Sequence, residues 1–331
     1  MDLTQKSHSF VDLQKTIMNK TISILTFGLL IQFSYGQITT TKVSEKKNQI
    51  STEPYDSLQN FLGKDVYKYV GHDLYLKGKS ESLRKYGYEK FVKDYQYKGN
   101  KRQKNTYKCC DGYNSKYDEL TGKYFNVIAI HKHPKTEEFY DKYFYLEIKE
   151  KESGDIVYYE YDSQFKHSFP FIVAGFFVKQ KQLNVNKEFV VRGKNWLTNN
   201  EPMSEINTGQ TVSFEPGSKW KCVDLTIDEK YFFLSLIMEN EKGEKIPLPL
   251  EFSDNTNFVF LDKDAEKYKK SYGDENWTKI LNGKVVVGFT KKMVLLSWGK
   301  PKKINKSSYG DQWVYQEKYL YFENGKLKSF N

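Results

Sequence analysis

Two stretches of this chain share a pattern that restricts the fold more than any other feature. FYLEIKEKESGDIVYYEY, Phe144 to Tyr161, and YFFLSLIMENEKGEKIPLPLEF, Tyr231 to Phe252, each read as a strand, a charged turn ending in Gly154 or Gly243, and a returning strand. Side chains alternate between faces along a strand, so Phe144, Leu146 and Ile148 fall together, as do Phe232, Leu234, Leu236 and Met238. Both segments are β-hairpins by period and turn chemistry. With 26 Tyr and 23 Phe, the chain favours strands, because aromatic side chains suit a pleated, half-buried surface. A mainly β protein follows, and 331 residues leave room for two or three cores.

A looser self-similarity surrounds the hairpins. YDSLQNFLGKDV (Tyr55 to Val66), YDELTGKYFNVIAI (Tyr117 to Ile130) and, more faintly, INTGQTVSF (Ile206 to Phe214) each place a Gly and a polar residue before alternating apolar positions. The pattern predicts repeated small β units over 55–165 and 166–261, and these resemble SH3-like barrels.

Beyond residue 262 the period changes from two to that of a helix. Trp277, Ile280 and Leu281 stand at i, i+3, i+4 and are closed by Asn282-Gly283, a helix stop. Val285, Val286 and Val287 are extended, Gly288 turns the chain, and the Thr290 hydroxyl suits the cap of a second helix. That helix carries Met293, Val294, Leu295, Leu296 and Trp298, ends at Gly299, and is kept from resuming by Pro301. Strands follow at Trp313-Val314-Tyr315, Tyr319 to Phe322 and Lys326 to Phe330, the last two joined by the hairpin dipeptide Asn324-Gly325. Residues 262–331 therefore read as an α-α-β-β-β two-layer domain. Its expected core is Trp277, Ile280, Gly288, Leu295, Trp298, Gly299, Trp313 and Phe322.

This order resembles the SmpA/OmlA-type outer-membrane-assembly lipoproteins. The matching positions are Ile280, Gly283, Val287-Gly288-Phe289-Thr290, Val294, Trp298-Gly299, Pro301, Trp313-Val314-Tyr315, Tyr321-Phe322 and Gly325-Lys326-Leu327. Phe289 stands where the family pattern has Met. The resemblance covers only this C-terminal part. It implies a cell-envelope scaffold that binds protein or lipid and performs no catalysis.

The N-terminus points to the same compartment. Met18-Asn19-Lys20 supplies a positive start, Ile22 to Phe33 a short apolar run, and Ser34-Tyr35-Gly36 a small-residue cleavage site, so residues 1–36 read as an N-terminal extension with a signal peptide. Either Met1 or Met18 serves as a start. The apolar run falls short of the about 20 residues a membrane-spanning helix needs, and the mature chain shows no transmembrane segment. Residues 37–54 are polar and unpatterned, a linker. The first Cys is Cys109, so a lipid anchor at the cleavage site is not expected. Cleavage removes Lys6, Lys15 and Lys20 with Asp2 and Asp12, a net loss of one positive charge that takes +10 to +9. A basic exported protein, periplasmic or outer-membrane-associated, meets acidic surfaces. Its expected partners are an envelope protein or peptide, an anionic glycan or lipid headgroups, and not nucleic acid.

The candidate contact residues are the cations and tyrosines of KGKSESLRKYGYEKF and KGNKRQKNTYKCC: Lys79, Arg84, Lys85, Tyr86, Tyr88, Lys101, Arg102 and Lys104. Charge of one sign attracts polyanions, and tyrosines offer flat faces to sugars or peptides. No HExxH, GxSxG or P-loop occurs, and no cofactor is implied. The alternative is a cell-wall or envelope hydrolase using Cys222 or the His131 and His133 pair. Against it, the alternating WKCVDLTI makes Cys222 a small core residue, and no third metal ligand follows the two histidines at matching spacing. In an oxidising compartment a bond from Cys109 or Cys110 to Cys222 is also open to the chain. N-terminal sequencing of protein from its native host is expected to begin at Gln37; an intact Met1 or Met18 on cytoplasmic protein would remove export from the account.

Overall fold

The Phe144–Tyr161 hairpin forms the middle of a larger sheet. In chain order the strands are β1 (Asp73–Leu76), β2 (Phe91–Val92), β3 (Cys109–Asp111), β4 (Asn114–Ser115), β5 (Tyr124–Lys132), β6 (Tyr143–Glu150), β7 (Ile156–Asp162) and β8 (Phe171–Val173). Apart from the small β3–β4 hairpin, they make an antiparallel sheet in the order β2-β7-β6-β5-β1-β8. This sheet is open, with β2 and β8 at its edges, so no barrel closes. Phe144, Leu146 and Ile148 lie opposite Tyr161, Tyr159 and Val157, and all six are buried. A bulge between Val127 and Ala129 shifts the β5 register, so Phe125 and Val127 face inward before it and Ile130 after it. The computed structural model describes residues 54–135, 140–193, 203–229, 232–250 and 259–331. The expected signal peptide, and the linker apart from Pro54, lie outside the described residues.

Helix α1 (Ala174–Asn184) joins this sheet to the next, in a place where the pattern predicted only strands. It carries no side-chain cap, its N-cap being Val173, and none of its residues is buried, so it leaves no apolar stripe to read. Phe176 packs against both the first and the second core. The second sheet comprises β9 (Glu188–Val191), β10 (Lys219–Ile227), β11 (Leu234–Glu239), β12 (Lys245–Pro249) and β13 (Val259–Leu261), ordered β12-β11-β10-β9-β13. It too is open. Leu236 and Met238 share its core with Trp220, Cys222 and Leu248, as their alternation requires.

The C-terminal part contains the expected αα hairpin and three strands, with one more helix and one more strand. α2 (Asp262–Tyr272) and α3 (Asp274–Leu281) are separated at Gly273, whose φ of 77° is a glycine conformation. α4 (Lys291–Trp298) begins where Met293 N donates to the Thr290 hydroxyl. Strands β14 (Lys303–Ser307), β15 (Gly310–Val314), β16 (Tyr319–Glu323) and β17 (Lys326–Phe330) then form a meander. Leu327 donates to Phe289 O and accepts from Gly288 N, so the Gly288 turn sits on the outer edge of β17. Trp277, Ile280, Trp313 and Phe322 are buried. Leu295 and Trp298 are only partly so, because α4 turns Met293, Val294 and Leu296 inward and leaves these two on its flank. Trp298 is fixed there by its indole N–H on Gly283 O at 2.7 Å and by the Tyr315 ring edge-on at 5.3 Å.

The second and third cores share one strand pair. Phe189 and Val191 of β9 face the second core, while Val190 and its partner Phe260 of β13 face the helices of the third. The next residue on that helix side is Arg192, which is buried. Its guanidinium donates to Ser297 O in the last turn of α4 and to Ile280 O near the end of α3, over the Phe260 ring. A cation is acceptable there because two helix C-termini present carbonyls that lack partners within their helices. Arg192→Met, which keeps much of the volume and removes the donors, is expected to cost about 2–3 kcal/mol in urea unfolding followed by tryptophan fluorescence. The exposed Lys302→Ala is expected to stay within about 0.5 kcal/mol of the parent.

Candidate ligand-binding surface

Between β1 and β5, which pair directly, the chain makes an excursion over 77–123. Four of its aromatic residues turn inward: Tyr88, Phe91, Tyr107 and Tyr117 belong to the first core. Its cations turn outward. Residues 77–116 hold twelve Lys and Arg against four Asp and Glu, a net of +8 within a chain total of +10. Leaving Lys77 aside, Lys108 is the one of these cations that takes part in a salt bridge among the described residues, although pairs are frequent elsewhere in the fold. The chain's charge imbalance is therefore concentrated in this one excursion.

The eight sequence-derived contact residues divide into two sets. Lys79, Arg84 and Tyr88 serve the excursion's own packing. Lys79 Nζ donates to Gly87 O at 2.5 Å and lies over the Tyr88 ring, and burial lowers its pKa despite the opposing pull of Glu89. Arg84 donates to Lys79 O and lies 5.5 Å from the Tyr117 ring centre. Tyr88 is buried, stacks on Tyr117 and gives its hydroxyl proton to Lys77 O. Lys85, Tyr86, Lys101, Arg102 and Lys104 are exposed. Lys85 rests on the Tyr86 ring, and the other three cations occupy the turn around Arg102–Asn105.

The solvent face of the first sheet carries a second concentration of functional groups that sequence reasoning did not assemble. His131, Tyr145 and Glu160 lie in one row across β5, β6 and β7, with Glu147 and Tyr158 in the next. His131 Nε2 is 2.6 Å from Glu147 Oε2, and Tyr145 donates to Glu160 at 3.2 Å. Tyr95, from the excursion, folds over this face and stacks on His131 at 4.5 Å. His133 stacks on Tyr140 at 4.6 Å. Alternation in YFYLEIKE places Tyr143, Tyr145 and Glu147 together, but the partners of each row depend on register and on the β5 bulge.

The nucleophile and the bases expected of a hydrolase are apart. Cys222 is a buried member of the second core, where burial pushes its thiol up to about 11. Both histidines belong to the first sheet's outer face. Cys109 and Cys110 stand side by side in β3, and Cys222 is a free, buried cysteine. Among the described residues no group of three or more His, Cys, Asp or Glu is placed to hold a metal.

The excursion is anchored by Glu150, which period two puts on the apolar face of β6, opposite Phe125. It is fully buried, yet it reaches Lys123 at 3.1 Å, Lys108 at 3.7 Å and the Ser153 hydroxyl. Burial by itself raises its pKa; the Ser153 hydroxyl and the Lys123 ammonium outweigh this, and the net shift is downward. Compared with known proteins, the chain matches no protein-family model, no curated protein and no solved structure.

A carboxylate whose folded pKa is depressed stabilises the protein above its unfolded pKa, and that contribution is lost as pH falls through the folded value. Glu150→Gln is accordingly expected to cost about 1.5–3 kcal/mol at neutral pH, with the difference from the parent shrinking as pH drops below the ordinary carboxylate range. Urea titrations of both proteins from neutral pH to below that range check it. An unchanged difference across the series would rule out the ionised form as the anchor.

Proposed function

We propose that this chain is an exported, non-catalytic binding or scaffold protein of the cell envelope, periplasmic or outer-membrane-associated and without a lipid anchor. It uses small β modules to hold an envelope protein, a peptide or an anionic glycan. The observation that carries the proposal is the net +8 of residues 77–116, where Lys85, Lys101, Arg102, Lys104 and Lys116 are exposed and in no salt bridge among the described residues. Cations left unpaired on one segment concentrate field that paired cations would cancel, so anionic partners are drawn there. The resemblance of the C-terminal helices and strands to SmpA/OmlA-type envelope lipoproteins supports the compartment. The likeness to SH3-like units extends to their short antiparallel hairpins, the sheets here being open.

The non-catalytic reading draws support from Cys222, which is buried in the second core with its thiol pushed up, while His131 belongs to the first sheet. A thiol in that state is a poor nucleophile. The full chain is expected to bind immobilised dextran sulfate and to elute at moderate salt. Replacing Lys101, Arg102 and Lys104 with Glu should weaken that binding at least about tenfold. The same charge change at Lys267, Lys270 and Lys302 should weaken it far less, and Cys222→Ser should leave it unaltered. Equal losses from both triple variants would mean that overall charge, and not the excursion, holds the polymer.

A further inference from the structure

The cationic excursion ends in three tips, two of which carry large apolar side chains. Leu83 and Tyr86, at the helical turn Glu81–Arg84 and just after it, are 50% and 53% exposed, and Tyr113 at the β3–β4 tip is 68% exposed. These tips are tied together. The Asn114 side-chain amide donates to Tyr86 O at 2.9 Å, and Tyr88 and Ser115 exchange backbone hydrogen bonds. The close approach depends on Gly87, where an added Cβ would lie 2.0 Å from Ser115 O. The Thr106 hydroxyl, placed between Arg102 O at 3.1 Å and Tyr113 O at 3.4 Å, joins the third tip, the Arg102–Asn105 turn.

Around these apolar groups stand Lys85, Lys101, Arg102, Lys104 and Lys116, all exposed and in no salt bridge among the described residues. The acidic residues nearby in sequence are Glu81, Glu89, Asp94, Asp118 and Glu119, all exposed, with Glu119 pairing with Lys108, and Asp111, whose carboxylate accepts from Tyr117 N. A soluble polyanion would engage the cations alone and leave Leu83, Tyr86 and Tyr113 in water. A membrane surface accepts both kinds of group, since apolar and aromatic tips enter the boundary between headgroups and acyl chains while lysines meet the phosphates.

We propose that the three tips dock the protein on an anionic lipid surface, with Leu83, Tyr86 and Tyr113 entering the headgroup layer and Lys85, Lys101, Arg102 and Lys104 meeting lipid phosphate. The proposal rests on the reading of the excursion as an anion-binding element and commits it to one source of anion. Association would be peripheral and reversible, because three side chains bury little apolar area compared with a spanning helix.

The test is co-sedimentation of the full chain with vesicles of phosphatidylcholine containing phosphatidylglycerol and with vesicles of phosphatidylcholine alone, beside binding to dextran sulfate. The parent should pellet with the anionic vesicles and not with the neutral ones. The combined Leu83→Ala, Tyr86→Ala and Tyr113→Ala variant should lose about tenfold in vesicle partitioning and keep its affinity for dextran sulfate. The Lys101, Arg102 and Lys104 to Glu variant should lose both. Because all these side chains are exposed, unchanged circular dichroism is expected, and the tip variant's retained polymer binding serves as its own check on folding. If the tip variant partitions like the parent, or the parent ignores anionic vesicles while binding the polymer, lipid docking is overturned and the anion-binding reading stands. If the parent binds neither, both fall.

Discussion

A buried guanidinium at the end of β9 holds the C-terminal helices to the second sheet. Taking an Arg out of water is unfavourable unless its donors are satisfied, and burial here pushes Arg192 down to about 10. The acceptors are backbone carbonyls at the ends of α3 and α4, where the helix dipoles are negative. One side chain therefore relieves two helix termini and fixes the angle at which the helices meet the second sheet. Gly193 N extends the same link to Leu281 O at 2.9 Å. The C-terminal helices and strands are thus built against β9 and β13, and borrow Val190 and Phe260 for their core.

The same economy marks the other end of the fold, where one segment supplies both core and surface. The excursion over 77–123 buries Tyr88, Phe91, Tyr107 and Tyr117 and exposes most of its cations, and these roles alternate within a few residues, as at the exposed Lys85 and the buried Tyr88. Glu150 is the counterpart of Arg192 on this side. It is an ion on an apolar face, satisfied by Lys123 and Ser153, and it ties the return of the excursion to the central strand. With Lys108 and Lys123 held by that carboxylate, and Lys101, Arg102 and Lys104 in no salt bridge among the described residues, the loops are anchored at their base and charged at their tips.

Much of this was legible from the sequence. The hairpin at Phe144–Tyr161, the Leu236 and Met238 face, the Thr290 cap, the stops at Gly283 and Gly299 and the Asn324-Gly325 turn all rest on local rules, and all have their counterparts in the structure. Asn324 and Gly325 take φ of 51° and 75°, as a two-residue hairpin requires. Helix α1 was not legible, because it binds two cores through Phe176 without an amphipathic stripe. β14 was missed because Lys303–Ser307 is an edge strand with mostly exposed side chains, which leaves no alternation to detect. Of the candidate contact residues, the sequence placed Tyr86 and Tyr88 alike; one is exposed and the other buried, since strand bridging to Ser115 and stacking on Tyr117 act on Tyr88 alone.

The sequence by itself determined the β class, the switch to helices after residue 262, the turns, and the concentration of positive charge before residue 117. Each of these follows from neighbours within a few positions, where period, propensity and glycine geometry act directly. Only the tertiary structure decided which charges are spent and which are free. Lys79 and Arg84 lie on rings, Arg192 caps helices, and Lys101, Arg102 and Lys104 face solvent. It also decided that His131 meets Glu147 and Tyr95 rather than Cys222. The physical reason is that ion pairing, burial and ring stacking depend on distances between residues far apart in the chain, and those distances are set by sheet register and by a one-residue bulge that no local pattern encodes.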